Sequence, residues 1–257
     1  MTMVILVAGC GSGSSTAPAT AAGGVKLISS GKLTTCTHLP YAPFQFNDGG
    51  KVVGFDIDMM DLVAKKLGVT QTVIDTPFEG IKSGQDLNTG KCDVAAAGMT
   101  IKPERAKVID FSVPYFNATQ AMAIKKGEGH SSLESLKGKR LGIQSGTTGK
   151  DFVDSKKPAG VRVTEFEDLA TLQQALATNQ VDGALTDLPV WIDYLKKNPG
   201  KFEIGAEFDT GEEYGFAVKK GGNPQLLKTV NEVIAGAKSD GAYDTIYKKW
   251  FGTKPAA

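Results

Sequence analysis

Residues 97–112, with the sequence AGMTIKPERAKVIDFS, decide the interpretation of this chain. They continue an apolar run, residues 94–98, that is short enough for a buried parallel strand. Pro103 stands where the first turn of a helix accepts proline. The stretch therefore predicts a strand that ends near Thr100 and leads into a short helix, which is where crevices for anionic groups form in parallel sheets.

Arg105 carries the clearest chemistry of this stretch. Its planar guanidinium can hold a carboxylate through two parallel, charge-assisted hydrogen bonds. Within the stretch alone, a surface arginine paired with Glu104 or Asp110 explains the residue equally well, because exposed ion pairs are common and weak.

Composition is that of an ordinary globular protein. The 257 residues, 41% hydrophobic and 22% charged, suffice for one or two domains with full cores. A net charge of +1 gives no electrostatic reason to expect nucleic acid as a partner. Two histidines and three scattered cysteines, without CxxC, HExxH or a calcium-loop pattern, predict neither a metal site nor a cofactor.

The first 24 residues are predicted to be a lipoprotein signal and a flexible tether. An apolar run, residues 3–8, leads into small residues directly before Cys10, which resembles a bacterial signal whose cysteine is lipidated. No Lys or Arg precedes Cys10 and the run is short, so we expect the true start to lie upstream; a chance apolar start is the alternative. Residues 11–24 are all Gly, Ser, Thr, Ala or Pro, as in flexible linkers. We therefore expect an exported protein with a lipid anchor.

Cys36 and Cys92 are predicted to be buried and unbridged. Export permits a disulfide, but we place Cys36 near the end of one strand and Cys92 at the start of another. Opposite ends of neighbouring strands lie too far apart, since a bridge needs Cα atoms within about 7 Å.

Strand and helix signals alternate along the rest of the chain. We predict strands at residues 32–37, 70–75, 94–98, 141–144, 161–165, 181–186 and 214–218, and helices at 57–67, 169–179, 191–197, 223–238 and 242–250. This alternation predicts α/β units with parallel sheets. The two closing helices have no strand after them, so they must cover a sheet already built. We therefore expect lobe 1 at residues 25–117 plus 216–257 and lobe 2 at 118–215.

Several motifs in this order resemble a known family. They are residues 97–112, GFDID at 54–58, SGTT at 145–148, the strand end Thr186-Asp187, and YDTIYKKWFG at 243–252. Together they resemble the periplasmic solute-binding proteins of polar amino-acid ABC transporters, the family 3 group for glutamine, glutamate and lysine/arginine/ornithine. The resemblance covers about residues 33–252. It implies a two-lobed, type II periplasmic-binding-protein fold with two hinge strands and a ligand in the cleft between the lobes.

The resemblance also implies how a free amino acid is held. Arg105 matches the residue that binds the α-carboxylate, helped by the Thr100 hydroxyl and by backbone donors at Gly98 and near Thr147. Asp187 matches the residue that takes the α-ammonium from the second lobe.

Other matched positions complete the implied site. Tyr41 and Phe78 match an aromatic pair that sandwiches the ligand, and Thr148 and Met99 are expected beside it. Simpler roles stay open, because the aromatic residues can be core residues. Asp187, Thr148 and its neighbouring threonine can be helix caps.

Ligand preference depends on two positions. His38 stands where several family members carry an acid, and Gln144 where some carry a lysine. An imidazole disfavours Lys, Arg or ornithine, so we expect glutamine or glutamate, with asparagine, aspartate or cystine behind. Glu79, beside Phe78, reverses this expectation if it contacts a cation.

The leading hypothesis is a non-catalytic, monomeric, extracytoplasmic protein that delivers an amino acid to an ABC permease. A cyclohexadienyl dehydratase shares the implied fold, but that chemistry needs a general acid in the cleft, and Glu79 and Glu213 are the candidates. The third hypothesis is the ligand-sensing module of a signalling system, which needs a membrane span or an attached signalling domain.

Overall fold

The structure is a computed structural model that describes residues 19–253. The predictions on residues 1–18, including the signal and the lipidation of Cys10, lie outside the described residues. Within the described part, no helix is both long and apolar enough to cross a bilayer.

Residues 19–111 form short strands and helices. The strands are β1 (Ala19–Thr20), β2 (Lys26–Leu27), β3 (Lys32–Thr37), β4 (Phe46–Asp48), β5 (Lys51–Val53), β6 (Thr70–Asp75), β7 (Val94–Ala95) and β8 (Ile109–Phe111). The helices are α1 (Phe55–Leu67), α2 (Phe78–Lys82), α3 (Gln85–Asn88) and α4 (Pro103–Ala106). The predicted bounds of β3 and β6 are confirmed, whereas β7 ends three residues earlier than predicted.

Residues 116–253 contain the longer elements. The strands are β9 (Phe116–Lys125), β10 (Arg140–Gln144), β11 (Arg162–Phe166), β12 (Gly183–Asp187), β13 (Phe202–Tyr214) and β14 (Ala217–Lys219). The helices are α5 (Thr148–Lys156), α6 (Leu169–Ala177), α7 (Leu188–Lys197), α8 (Pro224–Asp240) and α9 (Ala242–Phe251). The predicted return strand at 214–218 is wrong in extent, because β13 begins at Phe202 and Gly215-Phe216 separate it from β14.

Two five-stranded sheets form the centres of the two lobes. One has the order β6-β3-β7-β14-β8, and the other β11-β10-β12-β9-β13. In the first sheet, β14 from the end of the chain pairs antiparallel with β7 and β8. The first lobe is therefore discontinuous, and the fold is the predicted two-lobed α/β arrangement. The residue limits given above for the lobes stay a prediction.

The chain enters the second sheet at the start of β9 and leaves it at the end of β13, so these antiparallel strands stand where the hinge strands were predicted. Their pairing extends from Phe202 opposite Lys125 to Tyr214 opposite Phe116. An aromatic cluster packs at the Tyr214 end, where the Phe44 ring lies 4.9 Å from Phe116 and 5.3 Å from Tyr214 between centroids. Phe251 of α9 joins it, 5.1 Å from Phe116. The cluster packs α9 against the paired ends of β9 and β13.

The prediction of unbridged cysteines is wrong in this structure. Cys36 and Cys92 form a disulfide with their Cα atoms 5.6 Å apart. The prediction placed Cys92 on a strand, whereas β7 begins only at Val94, which lies opposite Thr35 with Ala95 opposite Cys36. Cys92 precedes this strand and Asp93 forms a bend between them, so Cys92 is not part of the ladder and the argument from opposite strand ends does not apply to it.

Candidate functional site

A cavity lies between the two lobes. Its lining residues are His38, Tyr41, Gln45, Phe78, Ala97, Gly98, Thr100, Arg105, Gln144, Thr147, Thr148 and Asp187. All the predicted ligand-binding residues except Met99 are in this set. The Met99 side chain is buried instead in a core cluster with Cys36 and Ile109.

Arg105 is a buried side chain, and the structure does not place it in a surface ion pair. Helix α4 begins at Pro103, and Arg105 on its first turn is 8% exposed. Nη1 donates to the carbonyl of Thr100 at 2.8 Å and Nη2 to the carbonyl of Gly146 at 3.2 Å. The guanidinium carbon lies 5.4 Å from the ring centroid of Phe78. Arg105 thus contacts both lobes inside the cavity.

The amino terminus of α5 lies beside this guanidinium. The Thr147 hydroxyl caps the helix, since it accepts from the N–H of Lys150 at 3.3 Å and donates to the carbonyl of Gln144 at 2.8 Å. The first N–H groups of a helix have no partner within it, which leaves those of Thr148 and Gly149 for an anion. With Arg105 they form a donor-rich side of the cavity suited to a carboxylate.

Asp187 forms the opposite, acceptor side. It ends β12, is 5% exposed, and makes no side-chain bond to the helix that follows. Its carboxylate accepts from the hydroxyl of Tyr41 at 2.6 Å, from the hydroxyl of Tyr214, and from the amide of Gln120. Burial, reinforced by the charge of Glu212, raises the pKa of Asp187 to about 6. These hydrogen bonds fix the carboxylate in the cavity, and at neutral pH it is mainly ionised and can bind a positively charged group.

Gly98 is required by close packing. Its φ is +54°, and a Cβ there would lie 2.9 Å from Cε1 of Tyr41. Its N–H donates to the Asp56 carboxylate at 2.8 Å, and Tyr115 donates to the same group at 2.7 Å. This N–H is therefore committed to the protein, whereas the sequence analysis expected it to donate to a ligand. Burial raises the pKa of Asp56 to about 7.

Three acceptor atoms without partners line the far end of the cavity. His38 Nδ1 lies 3.0 Å from the carbonyl of Thr76 and must donate to it, so Nε2 of the neutral ring is an acceptor. The Gln144 amide nitrogen donates to the carbonyl of Glu167 at 3.2 Å, which leaves Oε1 as an acceptor. These two atoms and Oε1 of Gln45 are buried and have no partner in the part of the chain that the structure describes.

An acidic groove adjoins this end and shares His38 and Phe78 with the cavity. Its lining also includes four acidic residues, Asp75, Glu79, Glu167 and Asp168. Glu79 is exposed and pairs with Lys82 at 2.8 Å. No Lys or Arg is among the groove's described lining residues.

Gln120 and Glu212 are site residues that the sequence analysis missed. Gln120 lies opposite Asp187 in the register between β9 and β12, and it donates to Glu212 at 2.9 Å. No spacing or motif signals either residue, because only the pairing of distant strands brings them to the site. Over residues 19–253, no three His, Cys, Asp or Glu side chains gather as metal ligands would.

Comparison with known proteins finds one family. The model of the bacterial extracellular solute-binding proteins, family 3, matches residues 33–253. A glutamine-binding protein of Bacillus subtilis is 37% identical over 211 residues, 80% of this chain and 76% of the relative. An L-cystine-binding protein of Escherichia coli is 34% identical over 215 residues, 82% and 79% of the two chains. The ABC transporter arginine-binding protein 1 of Escherichia coli is 30% identical over 217 residues, which cover 82% of this chain and 87% of the relative.

Solved structures agree with these relatives. An ancestral arginine-binding protein bound to arginine is 46% identical with a TM-score of 0.80, covering 86% of this chain and 99% of that one. Such a protein bound to glutamine is 45% identical with a TM-score of 0.81, covering 87% and 99%. An ancestral amino acid-binding protein, a precursor of cyclohexadienyl dehydratase, is 37% identical with a TM-score of 0.77, covering 86% and 95%.

Proposed function

The chain belongs to the bacterial extracellular solute-binding proteins, family 3, and on that premise we propose that it captures a free amino acid and delivers it to an ABC importer. The observation that carries the proposal is the pairing of opposite charges across one cavity. Arg105 and the amino terminus of α5 offer donors, and Asp187 offers a buried carboxylate. A free amino acid presents the complementary carboxylate and ammonium.

We extend the proposal to the ligand's side chain, with arginine first and glutamine second. The unpartnered acceptors of His38, Gln45 and Gln144 call for a ligand group that donates hydrogen bonds. A guanidinium has five N–H donors and an amide has two, whereas an ionised carboxylate has none. The sequence-based expectation of glutamine or glutamate is revised accordingly, because glutamate would place acceptors against acceptors.

The acidic groove adds the argument for a cation. Asp75, Glu79, Glu167 and Asp168 put negative charge where the end of a long side chain would lie. His38 argues against arginine only if its ring is positively charged. Solved structures described as arginine-binding, at 46% and 45% identity, support this choice.

The proposed cellular location and oligomeric state are those expected from the sequence. We propose an extracytoplasmic monomer, anchored by lipid on Cys10, whose lobes close on the ligand. A ligand that binds the closed form better than the open form shifts the population toward closure.

Thermal unfolding against each common amino acid separately tests the function. A ligand that binds only the folded protein stabilises it by about 2.7 kcal/mol at a hundredfold excess over its dissociation constant. We expect L-arginine to raise the midpoint most and L-glutamine to follow. Agmatine, which lacks the α-carboxylate, is the matched control and is expected to give little shift. If none of the amino acids shifts the midpoint, the proposal is contradicted.

Catalysis is the second candidate, since one structural neighbour is a precursor of cyclohexadienyl dehydratase. The predicted general acids Glu79 and Glu213 are exposed, and neither lines the cavity. This favours a binding protein. We expect no turnover of prephenate or arogenate, and measurable turnover would favour the enzyme.

A further inference from the structure

Glu212 is a buried carboxylate on the hinge strand β13, and it is 8% exposed. Its Oε2 accepts from the hydroxyl of Thr100 at 2.6 Å and from the hydroxyl of Thr148 at 2.7 Å. Its Oε1 accepts from the amide of Gln120 at 2.9 Å and from the hydroxyl of Thr210 at 3.0 Å. None of the ion pairs among residues 19–253 includes Glu212. A buried charge is expensive unless it is well hydrogen-bonded, so these four donors hold it in place.

The two threonines come from different parts of the site. Thr100 follows β7 in the first lobe, and Thr148 begins α5 in the second. Both line the cavity, with their hydroxyl oxygens 3.4 Å apart. Glu212 therefore joins the two lobes from the hinge.

The hydrogen bonds to Glu212 fix what these hydroxyls offer a ligand. A hydroxyl has one hydrogen and two acceptor lone pairs. When Thr100 and Thr148 give their hydrogens to Glu212, neither can donate to a ligand carboxylate. Toward the cavity each hydroxyl then presents only lone pairs.

Asp187 supplies a third acceptor in the same network. The Gln120 amide nitrogen donates to both Asp187 and Glu212, so one side chain connects the two buried carboxylates. Asp187, Thr100 and Thr148 all line the cavity. An α-ammonium has three hydrogens to donate, which matches three acceptors.

We propose that Glu212 is a positioning residue that makes the oxygens of Thr100 and Thr148 acceptors for the α-ammonium of the ligand. The inference rests on the proposed function, and it assigns a role to a residue that lies behind the cavity wall. It differs from the sequence-based expectation that Thr100 donates to the α-carboxylate. In this arrangement Arg105 and the amino terminus of α5 bind the α-carboxylate.

Calorimetric titration of the wild type and Glu212→Gln with two ligands tests this role. The ligands are L-arginine and 5-guanidinopentanoate, which is arginine without its α-ammonium. A glutamine amide keeps the shape but has one acceptor oxygen in place of two, so a threonine hydroxyl is released. We expect arginine affinity to fall at least about tenfold, as charge-assisted hydrogen bonds require. The affinity for 5-guanidinopentanoate should change less than about threefold.

Glu213→Gln is the matched control, since it removes the same charge from the next residue, whose side chain is exposed. It should leave both affinities unchanged. Thr148→Val removes one acceptor and keeps Glu212, so it should also weaken arginine selectively. It decides the question if Glu212→Gln does not fold, which circular dichroism would show.

The outcomes separate the two proposals. If Glu212→Gln loses affinity equally for both ligands, or keeps its affinity for arginine, the role of Glu212 is overturned and the proposed function stands. If Thr148→Val leaves the ratio of the two affinities unchanged, the role of Glu212 is likewise overturned. A wild-type protein that binds no amino acid overturns the proposed function and this inference with it. If glutamine binds and arginine does not, glutamine and its des-amino analogue glutaramate become the ligand pair, judged by the same ratio.

Discussion

Arg105 and Asp187 dominate the chemistry at the scale of single residues. Both are buried, and each is held by the protein: Arg105 by carbonyls of both lobes, and Asp187 by two phenols and an amide. Side chains held in this way lose little freedom when a ligand arrives, which favours binding. Their opposite charges set the orientation of a bound zwitterion.

Arg105→Ala should abolish amino-acid binding while the protein stays folded. The substitution removes two charge-assisted donors to the α-carboxylate, so we expect affinity to fall at least about a hundredfold. Calorimetric titration measures the loss, and circular dichroism checks the fold. Arg140→Ala is the matched control, because Arg140 pairs with Asp182 at 2.8 Å and does not line the cavity. Retained affinity in Arg105→Ala would show that the carboxylate is bound elsewhere.

Ligand affinity should fall as the pH drops below about 6. Burial raises the pKa of Asp187 to about 6, and only the ionised carboxylate attracts an ammonium. Between pH 7.5 and 5 we therefore expect about a tenfold loss of affinity for arginine. Calorimetric titration across this range is the measurement, and constant affinity down to pH 5 would contradict the assignment.

The stability of the ligand-free protein should change in the opposite direction. The folded pKa values of Asp187 and Asp56, about 6 and about 7, lie above the value of about 3.9 in an unfolded chain. Their contributions to the free energy of unfolding are therefore lowest above pH 7 and increase as the pH falls toward about 4. Urea unfolding at pH 7.5 and 5.0 separates this effect from the loss of affinity.

At the scale of elements, the short strand β7 organises the first lobe. It pairs with β3 on one side and with β14 from the end of the chain on the other. The strand ends at Ala95, and Ala97, Gly98 and Thr100 beyond it line the cavity. Just before the strand, Cys92 forms the disulfide with Cys36 of β3.

The disulfide should appear as a mass difference of two alkyl groups when the denatured protein is alkylated with and without prior reduction, because Cys36 and Cys92 react only once their bond is reduced. Cys36 and Cys92 are 56 residues apart in sequence, and closing a loop of that size stabilises by about 4 kcal/mol in the chain-entropy model. Replacing both by serine should lower the free energy of unfolding by an amount of this order, measured by urea unfolding. Identical masses in the two preparations would mean that Cys36 and Cys92 form no disulfide.

At the scale of the whole molecule, a nearly neutral chain has an uneven charge distribution. The net charge is +1, yet four acidic residues line the groove beside the cavity. Such a groove attracts cations over a distance that salt limits to about 10 Å at 0.1 M. The mouth of the cleft can therefore select a ligand by charge before the lobes close.

The association rate of arginine should fall as ionic strength rises. Screening of the acidic groove reduces attraction for a cationic ligand and leaves a neutral one unaffected. Stopped-flow fluorescence at 20 and 500 mM salt measures the rates for arginine and, as the neutral control, glutamine. An equal response of the two ligands would mean that the groove takes no part in capture.

Pattern and spacing already determine the α/β fold class of this protein, because they report which faces are apolar and where strands are followed by helices. The strands β3 and β6 and the discontinuous first lobe follow from such local signals, whereas the meeting of Arg105 and Asp187 in one cavity was implied by the resemblance of several motifs to a known family. The disulfide, the Glu212 network and the unpartnered acceptors depend on tertiary structure, since strand register joins residues that are far apart in sequence. Local periodicity encodes which side of an element is buried, and the pairing of distant strands settles what each buried group meets.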